Sequence, residues 1–287
     1  MSELNTIQTH VALGDRQLYR IGFGSMRITG AGVWGQPNDP AHCLELLRRL
    51  PELGVNFIDT ADSYGPNVSE ELIRDALHLY KGLTIATKAG LTRQGPNLWA
   101  PVGRPEYLRQ SLLMSLRRLN LEQIDLWQLH RIDPKVPRDE QFQAVAEFQN
   151  EGLIKHIGLS EVNVEDIKEA QKYFKVDTVQ NQFNLLNRQY EQELDYCTAN
   201  NVIFIPWYPL AKNALAGKLD TLGLAAQKYE ATPNQIAIAW LLKRSPMILP
   251  IPGTSKVKHF EENMQAMNIH LADEDFELLA NAYKALA

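Results

Sequence analysis

Four side chains able to exchange protons or carry charge occur at the ends of three consecutive strand-like runs of the sequence. Asp59 and Tyr64 follow the second run, Lys88 ends the third and His130 ends the fourth. A lysine ammonium favours the phenolate of a nearby tyrosine and so lowers a phenol pKa that is normally about 10. A carboxylate would keep that lysine charged, and an imidazole can orient a substrate oxygen. The set predicts protonation of a carbonyl oxygen while a cofactor delivers hydride to the carbon.

Each of these residues also has an ordinary structural interpretation. Lys88 could face solvent, Asp59 could cap a turn, and Tyr64 could be a loop aromatic. His130 on its own is more typical of a hydrogen-bonded core histidine. Their placement on successive strand ends favours the chemical interpretation, because the carboxyl ends of the strands of a parallel barrel meet at one face.

The apolar pattern alternates between short strand-like runs and amphipathic helical segments. Strands are predicted at Tyr19–Gly24, Val55–Thr60, Leu83–Lys88, Ile124–His130, Ile154–Ser160, Thr178–Phe183, Val202–Trp207 and Met247–Ile251. Helices are predicted at Cys43–Leu53, Ser69–Leu79, Pro105–Leu119, Asp139–Asn150, Glu165–Tyr173, Glu191–Asn200, Leu219–Tyr229, Pro233–Arg244, Lys256–Met264 and Asp273–Tyr283.

Eight strand-then-helix units predict an α/β fold, a (β/α)8 or TIM barrel that occupies residues 1–287 as a single domain. An open doubly wound sheet would call for a Gly-x-Gly-x-x-Gly turn after the first strand, and only Gly22 and Gly24 fit that pattern. Extended runs within Val11–Arg20, joined at Gly14-Asp15, predict an N-terminal β-hairpin that plugs the bottom of the barrel.

The composition argues against several classes of function. The 287 residues carry 29 basic and 34 acidic side chains, a formal net charge of −5, so no binding surface for nucleic acid or an anionic membrane is predicted. Cys43 and Cys197 lie in apolar helical patterns typical of buried thiols, and no metal site is expected. The first eight residues lack the order of a signal peptide, and no apolar stretch is long enough to span a bilayer. We therefore expect a cytoplasmic enzyme.

Three segments around the four residues closely resemble the aldo-keto reductase family. Phe57–Gly65 is similar to the family signature around its catalytic aspartate and tyrosine, Ile85–Lys88 to its lysine strand, and Trp127–His130 to its histidine strand. Further matching segments follow the family order along nearly the whole chain, at Gly22–Arg27, Ile157–Ser160 and Ile251–Thr254.

The resemblance implies a role for each of the four residues. In this family the tyrosine is the general acid, the lysine and aspartate tune it, and the histidine orients the carbonyl. These roles would fall to Tyr64, Lys88, Asp59 and His130. The implied activity is NADPH-dependent reduction of small or aromatic aldehydes and ketones.

The resemblance also implies a site for the nicotinamide ring. Ser160 and Gln180 would hydrogen-bond the carboxamide, and Trp207 would stack on the ring, in a segment that also holds Pro209 and Leu210. One residue departs from the family, because Glu161 stands where asparagine is usual. A carboxylate cannot donate to the carboxamide oxygen. That hydrogen bond is therefore lost, rearranged, or supplied by Asn163 or Asn181.

The last strand-then-helix unit resembles the family's grip on the pyrophosphate and adenosine. Free N–H groups and hydroxyls at a helix N-terminus form a natural anion site, here with Gly253, Thr254 and Ser255. Lys256 and His259 are the candidates for the 2′-phosphate, with Lys258 beside them, while Gly253 replaces a lysine seen in some relatives. Glu262 and Asn263 match the residues that hold the adenine. These residues favour NADPH over NADH, although a basic helix start facing solvent is the alternative.

The substrate pocket is predicted to lie between two loops. Thr29–Asp39 and Leu91–Gly103 carry Trp34 and Trp99 among glycines and prolines, and Met26 precedes the first loop. The first loop has a weak resemblance to bacterial family members that reduce pyridoxal. An aromatic aldehyde such as pyridoxal is therefore one candidate substrate.

Two other classes of protein remain as alternatives. The family includes potassium-channel β subunits, so a regulator that binds NADP(H) with little or no catalysis would have the same fold. A metal-dependent barrel hydrolase would need several histidines and carboxylates at strand ends, including a His-x-His pair, which this chain lacks. By analogy with the family, we expect a monomer.

Overall fold

The computed structural model describes residues 8–210 and 220–284. Its strands are β1 (His10–Leu13), β2 (Arg16–Tyr19), β3 (Phe23–Gly24), β4 (Phe57–Asp59), β5 (Thr84–Ala89), β6 (Leu91–Gly95), β7 (Leu98–Pro101), β8 (Ile124–Leu129), β9 (Ile154–Ser160), β10 (Thr178–Gln180) and β11 (Ile203–Phe204). Its α-helices are α1 (Pro40–Arg49), α2 (Val68–Leu77), α3 (Pro105–Leu119), α4 (Arg138–Asn150), α5 (Val164–Ala170), α6 (Glu191–Ala199), α7 (Asp220–Lys228), α8 (Pro233–Arg244), α9 (Val257–Met264) and α10 (Asp273–Lys284). Short 3-10 helices cover Ser25–Ile28, Pro51–Leu53 and Gln265–Asn268.

Seven parallel strands form a curled sheet in the order β11-β10-β9-β8-β5-β4-β3. The predicted eighth strand, Met247–Ile251, makes only an isolated parallel bridge to Phe204. Pro250 and Pro252 lack the N–H that a ladder needs, which accounts for the short pairing. The segment still closes the barrel, because the Gly22 N–H donates to the Pro250 carbonyl at 3.0 Å. The predicted α/β barrel is therefore confirmed.

The N-terminal hairpin is also confirmed, and it covers the amino-terminal ends of the strands. β1 and β2 pair antiparallel, and Arg16 donates to the Leu83 carbonyl at 2.7 Å and pairs with Asp125 at 2.8 Å. The apolar side chains of the hairpin join those of the barrel interior in one cluster, which contains Val11, Leu13, Leu18, Phe57, Ala86, Leu126, Ile203, Ile205, Leu249 and Ile251. The hairpin therefore plugs the end of the barrel away from the candidate site.

Several element bounds differ from the sequence prediction for local reasons. Helix α1 begins at Pro40, three residues early, because Asp39 caps it by accepting from the His42 N–H at 3.0 Å. The predicted loop Leu91–Gly103 contains an antiparallel hairpin formed by β6 and β7. The turn residues of this hairpin made the segment resemble a loop in composition. The predicted start of the seventh helix, Leu219, lies outside the described residues. In the part of the chain that the structure describes, no helix is both long and apolar enough to cross a membrane.

Candidate active site

The carboxyl ends of β4, β5 and β8 bring the four acid–base residues together. Asp59 ends β4, Lys88 is the last residue but one of β5, and His130 directly follows β8. Tyr64 lies on the loop between β4 and α2. These strands are neighbours in one parallel sheet, so their ends open to the same mouth of the barrel. We call Asp59, Tyr64, Lys88 and His130 the candidate tetrad.

Lys88 lies at the centre of the candidate tetrad. Its Nζ donates to Asp59 Oδ2 at 2.7 Å, to the Thr60 carbonyl at 2.8 Å and to Tyr64 OH at 3.4 Å. The Lys88 side chain is fully buried, and that of Asp59 is 2% exposed. All three ammonium donors therefore have partners, which is what a buried charge needs to remain ionised.

The second oxygen of Asp59 organises two glutamines. Asp59 Oδ1 accepts from Gln128 Nε2 at 3.1 Å and from Gln180 Nε2 at 2.8 Å. An ionised carboxylate can only accept hydrogen bonds, so each amide turns its NH₂ group toward Asp59. The Oε1 atom of Gln180 is thereby left to accept a hydrogen bond from a ligand.

The protonation states of Tyr64 and Lys88 are set by burial and by each other. Burial raises the pKa of Tyr64, and the Lys88 ammonium opposes only part of that rise. The lysine lowers the pKa of Tyr64 as predicted, but desolvation of the phenolate outweighs this attraction, so the net shift of the pKa is upward. Burial alone would lower the pKa of Lys88, but Asp59 and Tyr64 raise it above its usual value. Both groups keep their protons at neutral pH.

His130 is neutral in the folded protein. Burial, together with the charges of Lys88 and Arg131, lowers the pKa of His130 well below its usual value. Its Nδ1 lies 3.4 Å from Ser63 Oγ, and its ring packs edge-to-face against Tyr64 with centroids 5.9 Å apart. A neutral imidazole has one N–H, which can be offered to a substrate oxygen.

A cavity of about 1030 Å³ opens above the candidate tetrad and extends to α9. Its volume is slightly above the range typical of ligand pockets, about 300–1,000 Å³. Asp59, Tyr64 and His130 line it, whereas Lys88 lies beneath them. All of the residues predicted to contact the cofactor line the same cavity: Ser160, Gln180, Trp207, Pro209, Leu210, Gly253, Thr254, Ser255, Lys256, His259, Glu262 and Asn263.

The two predicted tryptophans of the substrate loops differ in position. Trp99 and Met26 line the cavity, and the Trp99 ring packs edge-to-face against Tyr64 at 6.4 Å. Trp34 does not line the cavity and is 38% exposed, so its assignment to the pocket is not supported. Val33 lines the cavity instead, and the Trp34 ring packs against the Arg93 guanidinium at 5.7 Å.

Glu161, the departure from the family pattern, turns away from the cavity. Its Oε1 accepts from Trp207 Nε1 at 2.6 Å and from the Gln182 N–H at 2.8 Å, and its Oε2 accepts from Tyr190 OH at 3.1 Å. The hydrogen bond to Trp207 fixes the plane of that indole. Glu161 thus acts on the cavity through its neighbour and not by direct contact.

The two asparagines considered as substitute donors are committed elsewhere. Asn181 is fully buried and exchanges two hydrogen bonds with the backbone of Val162, at 2.7 and 3.2 Å. Asn163 caps α5 by accepting from the Asp166 N–H at 2.9 Å. Neither side chain lines the cavity.

The sequence prediction missed several polar residues of the cavity wall. Arg27, Arg131, Tyr208, Asn234 and Asn97 all line it. Arg131 could have been found, because it follows His130 directly at a strand end. Asn234 could not, since nothing in the sequence indicates that the start of α8 approaches the barrel mouth.

Comparison with known proteins identifies the family of the chain. The sequence model of the Aldo/keto reductase family matches residues 20–284 of the chain. The chain therefore belongs to the aldo/keto reductase family and is an NAD(P)H-dependent oxidoreductase.

Individual relatives support the assignment over almost the whole length. The chain is 58% identical to an uncharacterized oxidoreductase of Schizosaccharomyces pombe, over 94% of this chain and 88% of that protein. It is 39% identical to pyridoxine 4-dehydrogenase of Escherichia coli, over 91% and 94% of the two chains. A thermostable aldo-keto reductase, Tm1743, has a similar structure with a TM-score of 0.85 and 29% identity, over 96% and 100% of the chains. Other aldo-keto reductases of this fold have been solved with NADPH or NADP bound.

Proposed function

We propose that the chain is an NADPH-dependent reductase of aldehydes and ketones in which Tyr64 donates the proton. The observation that carries this proposal is the position of Lys88. Its buried ammonium is within hydrogen-bond distance of both Asp59 and Tyr64, and the phenol lines the large cavity. This arrangement suits a phenol that must become a phenolate during each turnover and then recover its proton.

The bound cofactor would supply a hydride to the carbonyl carbon. Tyr64 would donate its proton to the carbonyl oxygen as negative charge develops there, and the Lys88 ammonium would stabilise the resulting phenolate. The neutral imidazole of His130 would donate a hydrogen bond to the same oxygen and orient it. Asp59 would keep Lys88 charged throughout.

The polar lining of the cavity fits a nicotinamide dinucleotide. Gln180 Oε1 would accept from the carboxamide NH₂, Ser160 would donate to the carboxamide oxygen, and the Trp207 indole would stack on the ring. At the other end Gly253, Thr254 and Ser255 would bind the pyrophosphate, and Glu262 and Asn263 the adenine.

Replacement of Tyr64 by phenylalanine tests the proton donor. Tyr64→Phe should lower kcat for carbonyl reduction by about 10²- to 10⁴-fold, the usual contribution of a general acid. The Kd for NADPH, measured by fluorescence titration, should stay close to the wild-type value because Lys88 and Asp59 remain. Tyr80→Phe, at a buried tyrosine that donates to the Leu119 carbonyl away from the cavity, is the matched control. Wild-type turnover in Tyr64→Phe would overturn the assignment.

The preference for NADPH would rest on Lys256 and His259. All three basic residues of this segment are exposed, but only Lys256 and His259 line the cavity, and the neighbouring Lys258 does not. Lys256→Met should raise the Kd for NADPH about tenfold, in line with the loss of one charge-assisted contact, and leave the Kd for NADH unchanged. Lys258→Met should change neither value. Equal affinities of the wild-type protein for NADPH and NADH would contradict the preference.

We further propose an aromatic aldehyde such as pyridoxal as the substrate. Trp99, Tyr64 and His130 together present flat rings around the reacting position. The Escherichia coli relative named pyridoxine 4-dehydrogenase acts, by that name, on an alcohol whose aldehyde is pyridoxal. These two observations favour a flat, ring-bearing carbonyl compound over a short aliphatic one.

A panel of carbonyl compounds tests the substrate class. The loss of NADPH absorbance should be followed with pyridoxal, other aromatic aldehydes, short aliphatic aldehydes and ketones. We expect the highest kcat/KM with aromatic aldehydes. No turnover across the panel, with intact NADPH binding, would favour the alternative, a regulatory protein of the channel β-subunit kind.

We also propose that the protein is a single-domain cytoplasmic monomer. Gel filtration and sedimentation can test its oligomeric state.

A further inference from the structure

Arg131 is a charged residue of the cavity wall that the family pattern does not assign. It follows His130 directly, is half-buried and lines the cavity. Its Nη1 donates to the His130 carbonyl at 2.6 Å and to Ser160 Oγ at 3.1 Å. In the described part of the chain, no side chain or carbonyl accepts from its Nη2 or Nε. The guanidinium therefore has donors left for a ligand.

The hydrogen bond to Ser160 has a directional consequence. Arg131 has only donors, so Ser160 Oγ must be the acceptor in this contact. The hydroxyl hydrogen of Ser160 then has to point elsewhere, and Ser160 lines the cavity. The hydrogen bond from Arg131 therefore leaves the Ser160 hydroxyl able to donate toward the cavity. An acceptor bound to Ser160 would also lie within reach of the guanidinium.

The charge of Arg131 is balanced without blocking the cavity. Burial lowers the pKa of Arg131, and the Glu161 carboxylate counteracts this effect. Glu161 itself faces Trp207, Gln182 and Tyr190 and does not line the cavity. The carboxylate that balances the charge of Arg131 therefore lies outside the cavity, whereas Arg131 lines it.

These contacts show which groups could donate the hydrogen bond that Glu161, a carboxylate in place of the usual asparagine, cannot donate. The chain has no amide donor there, and Asn163 and Asn181 are committed to the backbone. We propose that Arg131 takes over this function: with Ser160 it donates to the carboxamide oxygen of the nicotinamide ring, while Glu161 supplies the counter-charge and fixes the Trp207 indole. The inference rests on the proposed binding of NADP(H).

Cofactor analogues can isolate the contact. Three ligands should be titrated by calorimetry: NADP⁺, its 3-acetylpyridine analogue, which keeps the carbonyl oxygen but lacks the amide NH₂, and adenosine 2′,5′-bisphosphate, which lacks the nicotinamide. Arg131→Met removes the donors and the charge and keeps the length of the side chain. Lys135→Met, at an exposed lysine on the same loop, is the matched control.

Arg131→Met should weaken NADP⁺ and the acetylpyridine analogue by the same factor, about tenfold or more, and leave the bisphosphate unchanged. Unchanged affinity for NADP⁺ in Arg131→Met would overturn the role of Arg131 while leaving the proposed function intact. Equal weakening of all three ligands would also overturn it, because the loss would then be one of structure. If Arg131→Met does not fold, Arg131→Lys should show a smaller loss with the same pattern. A wild-type protein that binds no NADP⁺ would overturn both the inference and the proposed function.

Discussion

The guanidinium of Arg93 lies 3.6 Å from the centre of the Trp99 ring and holds that ring against the cavity. The same guanidinium donates to five backbone carbonyls, those of Gly32, Val33, Ser63, Gly95 and Leu98. These carbonyls belong to the first loop, to the turn that carries Tyr64 and to the β6–β7 hairpin. One side chain therefore joins three separate segments of the pocket wall.

Substitution of Arg93 should affect substrate binding more than chemistry. Arg93→Lys keeps the charge but cannot form the planar fork that reaches five carbonyls. We expect KM for an aromatic aldehyde to rise about tenfold, the cost of losing one to two hydrogen bonds, with a smaller change in kcat. Steady-state kinetics with saturating NADPH measures the two separately. Gln94→Ala, at the adjacent exposed residue, should behave as wild type; a loss confined to kcat would contradict this role.

Removal of Lys88 should destabilise the fold as well as stop reduction. Lys88→Met leaves Asp59 as a buried carboxylate without its counter-ion, which typically costs about 3–5 kcal/mol in the free energy of unfolding. Combining Lys88→Met with Asp59→Leu removes the unpaired carboxylate as well, so the double variant should be more stable than the sum of the two single effects predicts. Urea unfolding of the wild type, the two single variants and the double variant tests this coupling. Strictly additive losses would show that the pair is not coupled.

His130 should make stability fall in mild acid. The folded pKa of His130 is lowered, whereas the unfolded chain has the ordinary value of about 6.5. Below that pH the unfolded state binds a proton that the folded state does not, so stability is lost as pH falls through this range. His130→Gln should reduce the difference in unfolding free energy between pH 7.5 and pH 5. His270→Gln, at an exposed histidine, is the control, and equal slopes in all three proteins would contradict the prediction.

Asp62 should produce the opposite trend. Burial, with the nearby Glu70, raises the pKa of Asp62 to about 8, and its Oδ1 has no hydrogen-bond partner among the described residues. Between about pH 4, where an unfolded aspartate titrates, and pH 8 the folded state holds a proton that the unfolded state has released, so its stability declines as pH rises. Asp62→Asn carries no ionisable group. It should therefore raise the melting temperature more at pH 8 than at pH 5, and an equal change at both values would refute the assignment.

The fold was predictable because its signals are local and repeated. Alternating strand and helix patterns predict the barrel, and the Gly14 turn predicts the hairpin that plugs it. The β6–β7 hairpin was not recognised, because its strands are short and partly exposed and carry no clear alternation. The length of the eighth strand was overestimated, because its prolines remove hydrogen bonds between strands but leave the apolar run in the sequence intact.

By itself, the sequence determined which residue types stand at the strand ends, and so the composition of the site around Asp59, Tyr64, Lys88 and His130. Only the tertiary structure decided the direction of the Tyr64 pKa shift, because desolvation depends on how completely the phenol is buried. Likewise, only the structure placed Trp34 outside the cavity, turned Glu161 away from it and brought Arg131 against Ser160. Side-chain direction and distant contacts are set by packing between segments far apart in the chain, and no local pattern encodes them.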